Sequence, residues 1–232
     1  SGEGHVELRE VEEPKPKPDE VLIEVKRAGV CGTDIHILHG EFSKARPPFI
    51  LGHEFSGIIK EVGKEVTGWK LGDRVVSETA AYSCGVCRFC RMGDTQLCPE
   101  RQAYGYVQNG AFAKYIKVKA KLLHLLPDSI SYSGGALCEP LAVCSHAALE
   151  RTKVQPGEVV LVTGPGTVGL IMLQVVKSSG ATVILCGVDS DQERLKLGIE
   201  LGADRAVNIE REDYSSLIME MTDGYGVDKS FE

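Results

Sequence analysis

The sequence predicts an α/β plus β chain: a β-rich region over residues 1–150, then alternating strands and helices over 151–232. Three observations carry that expectation. Short apolar or alternating runs recur at 6–12, 21–27, 55–62, 73–77 and 112–118, broken by Gly and by the Pro-rich turn PKPKPDE. From residue 158, EVVLVT runs into GPGTVG and then LIMLQVVKSSG, a strand, a Gly-rich turn and a helix. Four of the eight cysteines crowd into the stretch from Cys84 to Cys98. A chain of 232 residues can bury a large core without disulfides, so that crowding needs another explanation.

Between the two regions, ALCEPLAVCSHAALERTKV can carry a helix, and the turn Gln155-Pro156-Gly157 precedes the first strand of the second part. The runs TVILCG, RAVNI and VDKSF continue as strands, about four in all. A complete doubly wound dinucleotide fold has six. The second domain is therefore expected to be truncated in its C-terminal half.

The net charge of −7 argues against nucleic-acid or anionic-membrane partners, which want a basic face. The charged N-terminus has no apolar core of a secretory signal. Val159 to Val176 runs 18 residues without a charge, but the Gly164-Pro165-Gly166 break reads as strand, turn and helix, not as a membrane span. The expectation is a cytoplasmic protein. In a reducing compartment the spacing C-x2-C-x2-C-x7-C of Cys84, Cys87, Cys90 and Cys98 reads as a structural zinc site. An iron–sulfur site, or two disulfides in an oxidising compartment, are the alternatives.

GPGTVG is G-x-G-x-x-G with a strand before it and a helix after it. Gly164 makes the turn, Gly166 lets backbone approach a pyrophosphate, Gly169 allows the helix to pack closely, and Thr167 and Val168 open the helix whose N-terminus attracts the anion. Twenty residues past Gly169 stands Asp189, placed to bind the ribose of NAD. Alternatively, Gly187 at the strand tip leaves room for the phosphate of NADP near Arg194; NAD is the preferred reading.

The first region carries its own chemistry. Cys31-Gly32-Thr33-Asp34-Ile35-His36, Gly52-His53-Glu54 and Cys138-Glu139-Pro140 together offer two thiols, two imidazoles and three carboxylates. Cys31, His53 and an acid match a catalytic zinc, which takes three protein ligands and keeps one position open.

GHEFSGIIKEVGKEV resembles the zinc alcohol dehydrogenase signature GHE-x2-G-x5-G-x2-V, with Gly57, Gly63 and Val66 in register. With CGTDIH, the four-cysteine lobe and GPGTVG, the chain resembles the zinc-dependent medium-chain dehydrogenase/reductase family along its length. The resemblance implies a GroES-like catalytic domain joined to a Rossmann domain, with the active site in the cleft between them. It implies Cys31, His53 and Glu54 as catalytic zinc ligands. Glu139 falls where alcohol dehydrogenases place a second Cys, so Glu54 and Glu139 remain alternative carboxylate ligands. The E-P-L context of Glu139 is similar to the polyol dehydrogenase branch, with sorbitol, butanediol and threonine dehydrogenases. Asp34 is expected to accept the second ring N–H of His53.

The implied reaction is oxidation of a secondary alcohol: zinc acidifies the hydroxyl, Thr33 accepts its proton, the relay runs through the cofactor ribose to His36, and hydride passes to NAD or NADP. The implied cofactors are two zincs per chain and one nucleotide, and the implied assembly is a homotetramer or homodimer. A threonine or butanediol dehydrogenase is the alternative within the family. A metal- and nucleotide-binding scaffold without turnover is the alternative outside it.

Overall fold

In the computed structural model, which describes residues 5–232, EVLIEVKRAG forms β1 (Glu20–Gly29). Its alternation puts Val21 and Ile23 on one fully buried face. α1 (Gly32–Leu38) follows, and β2 (Glu54–Val62) returns antiparallel to β1, from Val21 opposite Val62 to Gly29 opposite Glu54. A register shift between Val25 and Arg27 sets that last pairing. β3 (Arg74–Ser77), α2 (Arg88–Met92), β4 (Tyr115–Lys119), β5 (Leu123–Leu125) and α3 (Tyr132–Ala136) complete the first of two units, which ends at Glu139. The sheet has the order β4-β1-β2-β3-β5 and is antiparallel throughout. Its core gathers Val21, Ile23, Phe55, Ile59, Val75 and Val118.

One sequence expectation fails here. Residues 6–12 form no strand, and Val6, Leu8 and Val11 stay exposed. Alternation alone does not make a strand when no neighbour takes up the backbone hydrogen bonds, and none pairs with this segment among the described residues.

The second unit is Pro140–Glu232. α4 (Cys138–Ser145) runs into a π-helical turn at His146–Arg151. Cys144 and Ala148 on this stretch are fully buried and share a core with Val160, Val162, Leu173 and Val183, which is why the helix from Pro140 onward packs with the second unit. β6 (Val159–Thr163), α5 (Thr167–Ser178), β7 (Thr182–Gly187), α6 (Gln192–Glu200), β8 (Arg205–Asn208), α7 (Tyr214–Met221) and β9 (Lys229–Phe231) then alternate. The sheet order is β8-β7-β6-β9, parallel throughout. That is the 3-2-1-4 part of the dinucleotide-binding order. Helices on a parallel sheet explain the near-continuous apolar run of β7, whose Val183, Ile184 and Leu185 are fully buried. The uncharged stretch 159–176 is β6, the glycine turn and most of α5, and no described helix is long and apolar enough to cross a membrane.

A carboxylate locks this unit at the sheet edge. Asp204 accepts Val183 N–H at 2.7 Å and Lys177 Nζ at 2.8 Å. Burial opposes the charged form, but these donors prevail and hold the Asp204 carboxyl below its usual range.

Candidate active site and nucleotide-binding turn

Cys31 ends the loop after β1 and caps α1 with extended backbone geometry. Its N–H donates to Asp34 Oδ2 at 2.9 Å, and Asp34 N–H donates back to Cys31 O at 3.0 Å. The other oxygen of Asp34 accepts Gly52 N–H at 3.3 Å. One buried carboxylate therefore ties the Cys31 loop to the residue before His53. The expected bond from the His53 ring is absent: Nδ1 lies 3.8 Å from Asp34 Oδ1, too long for a hydrogen bond. That Nδ1 is buried with no hydrogen-bond partner among the described residues.

The loop before His53 is held by a second device that sequence reasoning missed. Gly110 N–H donates to Ile50 O, Ala111 N–H to Gly52 O and Phe112 N–H to Leu51 O, at 2.7 to 2.9 Å. The approach is too close for side chains: a Cβ on Gly110 would overlap the Gly52 carbonyl, and one on Gly52, which has φ of +91°, would overlap the Phe112 ring. Gly105 likewise backs onto Gly52. The only sequence signal for this knot is the set of glycines itself.

Cys31, His53 and Glu54 converge, with one ligand atom from each lying within 4.8 Å of the others. His53 and Glu54 are each 7% exposed. Glu54 sits over Gly29, where any Cβ would overlap its carboxylate. Burial disfavours the imidazolium of His53, but Cys31 and Asp34 beside it raise its pKa above the ordinary value. One sulfur, one imidazole nitrogen and one carboxylate are a three-donor set that fits a single divalent ion with an open position.

Glu139 lies outside that group of three. It is close enough to feel His53 and Glu54, and burial pushes its carboxyl up, with Glu54 adding to the rise and His53 and Arg101 opposing it. Thr33 Oγ1 lies 3.6 Å from Cys31 Sγ, and His36, on the next turn of α1, is exposed with Nδ1 2.6 Å from Glu41 Oε2. Also missed in the sequence was Arg101, whose guanidinium donates to Tyr106 Oη at 2.7 Å and Thr79 Oγ1 at 3.0 Å. Phe42 packs edge-on against Tyr106 at 5.1 Å, while Phe55 belongs to the core.

The four-cysteine lobe is built by backbone. Cys84 N–H donates to Cys98 Sγ, Cys87 N–H to Cys84 Sγ and Cys90 N–H to Cys87 Sγ, at 3.4 to 3.5 Å. Sγ of Cys84 lies 3.6 Å from that of Cys98 and 4.0 Å from that of Cys90, and none of these cysteines is disulfide-bonded. Four sulfurs each 2.3 Å from one tetrahedral ion stand about 3.8 Å apart, so the spacing fits a single zinc and is too tight for a multi-atom cluster. Backbone N–H groups of Val86 and Cys87 lower Cys84 to about 7, and burial raises Cys90 to about 11.

In the second unit Gly164 has φ of +81°, and Gly166 caps α5 with open space where a Cβ would project. A Cβ on Gly169 would overlap the Gly164 carbonyl. Thr167 and Val168 are the first two residues of the helix. β7 ends at Gly187, and Asp189 lies just past it, bonded to Asn208 and Arg211; Arg194 pairs with Asp191 at 3.2 Å.

Comparison with known proteins agrees with both halves. Residues 17–128 match the alcohol dehydrogenase GroES-like domain, and residues 167–232 match the zinc-binding dehydrogenase domain. The chain is 46% identical over 231 residues to a sorbitol dehydrogenase of Halalkalibacterium halodurans, spanning 100% of this chain and 67% of that protein. It is 45% identical over 219 residues to a D-arabitol-phosphate dehydrogenase of Enterococcus avium, spanning 94% of this chain and 62% of that protein. The structure superposes on galactitol-1-phosphate dehydrogenase from Escherichia coli with a TM-score of 0.85 at 30% identity, covering 95% of this chain and 63% of that one. The chain thus spans about two thirds of the length of the relatives it matches. Its fold is that of the GroES-like and zinc-binding dehydrogenase domains that it matches. The chain belongs to the zinc-dependent medium-chain dehydrogenase/reductase family, and its likeness includes the polyol dehydrogenase branch.

Proposed function

We propose that this chain is the zinc-bearing, nucleotide-binding part of a dehydrogenase that oxidises a secondary alcohol of a polyol with NAD or NADP. The observation that carries the reading is the convergence of Cys31, His53 and Glu54 around one buried point. Cys31 and His53 would hold zinc, and Glu54, within the same group, is the carboxylate best supported as the third ligand. Glu139 stands behind it as a neighbouring acid. When bound, zinc supplies Lewis acidity to a substrate hydroxyl and the nicotinamide supplies the hydride acceptor.

The chain's own residues do the positioning and the proton handling. Thr33 receives the hydroxyl proton, and His36, three residues on along α1, passes it to solvent with Glu41 as its partner. Gly164, Gly166, Thr167, Val168 and Gly169 present backbone to the pyrophosphate, and Asp189, with Arg194 nearby, stands at the ribose end. The relatives acting on sorbitol and on D-arabitol phosphate support a polyol substrate. A phosphorylated polyol is the second reading, supported by the relative named for D-arabitol phosphate. The family likeness supports a homodimer or homotetramer, and unpaired clustered thiols suit the cytoplasm.

The test is cofactor reduction followed by absorbance with sorbitol, arabitol, their phosphates, butanediol and threonine, with NAD and NADP run separately. Turnover of a polyol or its phosphate supports the reading. Bound zinc and nucleotide without turnover of any of these alcohols points to a scaffold.

A second, structural zinc in the four-cysteine lobe is part of the same proposal. The Cys90→Ser variant should lose about one zinc per chain by elemental analysis, since structural zinc needs all four ligands. It should also lower the melting temperature. Full retention of metal in that variant would refute the assignment.

A further inference from the structure

The turn that follows β8 grips Asp189 from three directions. Asn208 Nδ2 donates to Asp189 Oδ1 at 2.6 Å, and Arg211 Nε donates to the same oxygen at 2.5 Å. Asp189 N–H donates to Glu210 Oε2 at 2.6 Å. The turn is braced in its own right, because Asn208 Oδ1 accepts Glu210 N–H at 3.0 Å and Ile209 N–H donates to Gly187 O at 3.0 Å. Asn208 is 8% exposed, so its amide is a fixed fitting of the sheet end. Arg211 is on the surface, its side chain 59% exposed.

Both side-chain donors land on one oxygen of Asp189. The other, Oδ2, accepts from no donor among the described residues. Two donors on one oxygen restrict rotation of a carboxylate and leave its second oxygen, with two lone pairs, as a fixed acceptor for ribose hydroxyls. Around it stand three acids, Asp189, Asp191 and Glu210, and two cations, Arg194 and Arg211, of which Arg194 is bound to Asp191 and Arg211 to Asp189. Such a setting favours hydroxyl donors over a phosphate dianion.

We propose that Asn208 and Arg211 are the positioning residues that set cofactor selectivity: they hold Asp189 for the ribose hydroxyls of NAD, and Arg211 is a latent cation that only loss of Asp189 releases for the 2′-phosphate of NADP. The inference rests on the nucleotide-binding reading above and goes beyond it, because the selectivity is assigned to a turn on the neighbouring strand, not to Asp189 alone. Restraint of the acid costs little here, since the Arg211 guanidinium, followed by the Asn208 amide, holds the Asp189 carboxyl below its ordinary value and keeps it ionised.

The test is equilibrium binding of NADH and of NADPH to the full chain by nucleotide fluorescence, alongside KM and kcat for both oxidised cofactors. Wild type should bind NADH more tightly than NADPH. Arg211→Gln and Asn208→Ala should each weaken NADH about tenfold, the worth of one hydrogen bond to a charged group, with a smaller change for NADPH. In turnover the loss should fall on KM for NAD and leave kcat near wild type. Asp189→Ser should gain NADPH binding about tenfold, and adding Arg211→Gln to it should abolish that gain. Arg211 is exposed, so its variant should melt with wild type and report on selectivity even if Asn208→Ala proves unstable. A wild type that binds neither nucleotide overturns the dinucleotide reading and the inference with it. Wild-type preference for NADPH overturns the inference. A wild type that prefers NADH, with Arg211→Gln keeping the same NADH to NADPH ratio, overturns the inference while the dinucleotide reading stands.

Discussion

Replacing Cys31 with Ala is expected to abolish the proposed alcohol oxidation while nucleotide binding persists. The thiol is one of three donors converging at the candidate metal site, and its Sγ lies 3.6 Å from the Thr33 hydroxyl that would take the substrate proton. Its loss leaves His53 and Glu54, two buried polar groups, to hold an ion on their own. Lewis-acid stabilisation is worth several kcal/mol at the transition state, so kcat should fall by about a thousandfold or more. Zinc analysis should show the catalytic equivalent gone. The nucleotide turn belongs to the other unit, with its own core, so NADH fluorescence titration should give a near wild-type curve. Near-normal turnover in the variant would remove Cys31 from the reaction.

Gly169→Ala acts on the other half of the molecule and should be as damaging to nucleotide binding. The new methyl would overlap the Gly164 carbonyl, a backbone atom that cannot rotate away as a side chain tip can. Either α5 lifts from β6 or the glycine turn reshapes, and each displaces the helix N-terminus proposed to face a pyrophosphate. Forcing one methyl into a closed contact costs about 1–3 kcal/mol. Thermal melting should show that loss, and NADH affinity should drop with it. Gly166→Ala offers the contrast: its Cβ would meet no neighbour, so the fold should keep its stability while a pyrophosphate approaching that backbone is obstructed. Equal melting losses in the two variants would contradict the packing account.

These contrasts show why parts of the molecule were legible in sequence. GPGTVG was readable because its three glycines serve three local purposes within six residues. The cysteine lobe was readable because one short loop carries all four sulfurs. His53 and Glu54 were found through their neighbours in the chain, and Cys31 through its own motif. The supports of these residues were not legible. Asp34 ties two loops 18 residues apart, Gly110 meets Gly52 across a longer gap, and Asn208 reaches Asp189 only because β8 lies beside β7 in a parallel sheet. Such contacts exist only after the strands have chosen their neighbours. The opposite error occurred at residues 6–12, where the alternation was real but no partner strand was at hand.

The glycine knot beneath His53 has a consequence for how this protein can change. Segments 50–52 and 110–112 are joined peptide to peptide, and peptide groups are common to every sequence. The hydrogen bonds between those segments use no side chain, and the ring laid against Gly52 is that of Phe112. Side chains elsewhere in the unit can therefore change without unseating the histidine. On the proposed function, substrate range and metal retention would be separable traits, and a lineage could explore new alcohols while its metal anchor stays where it is.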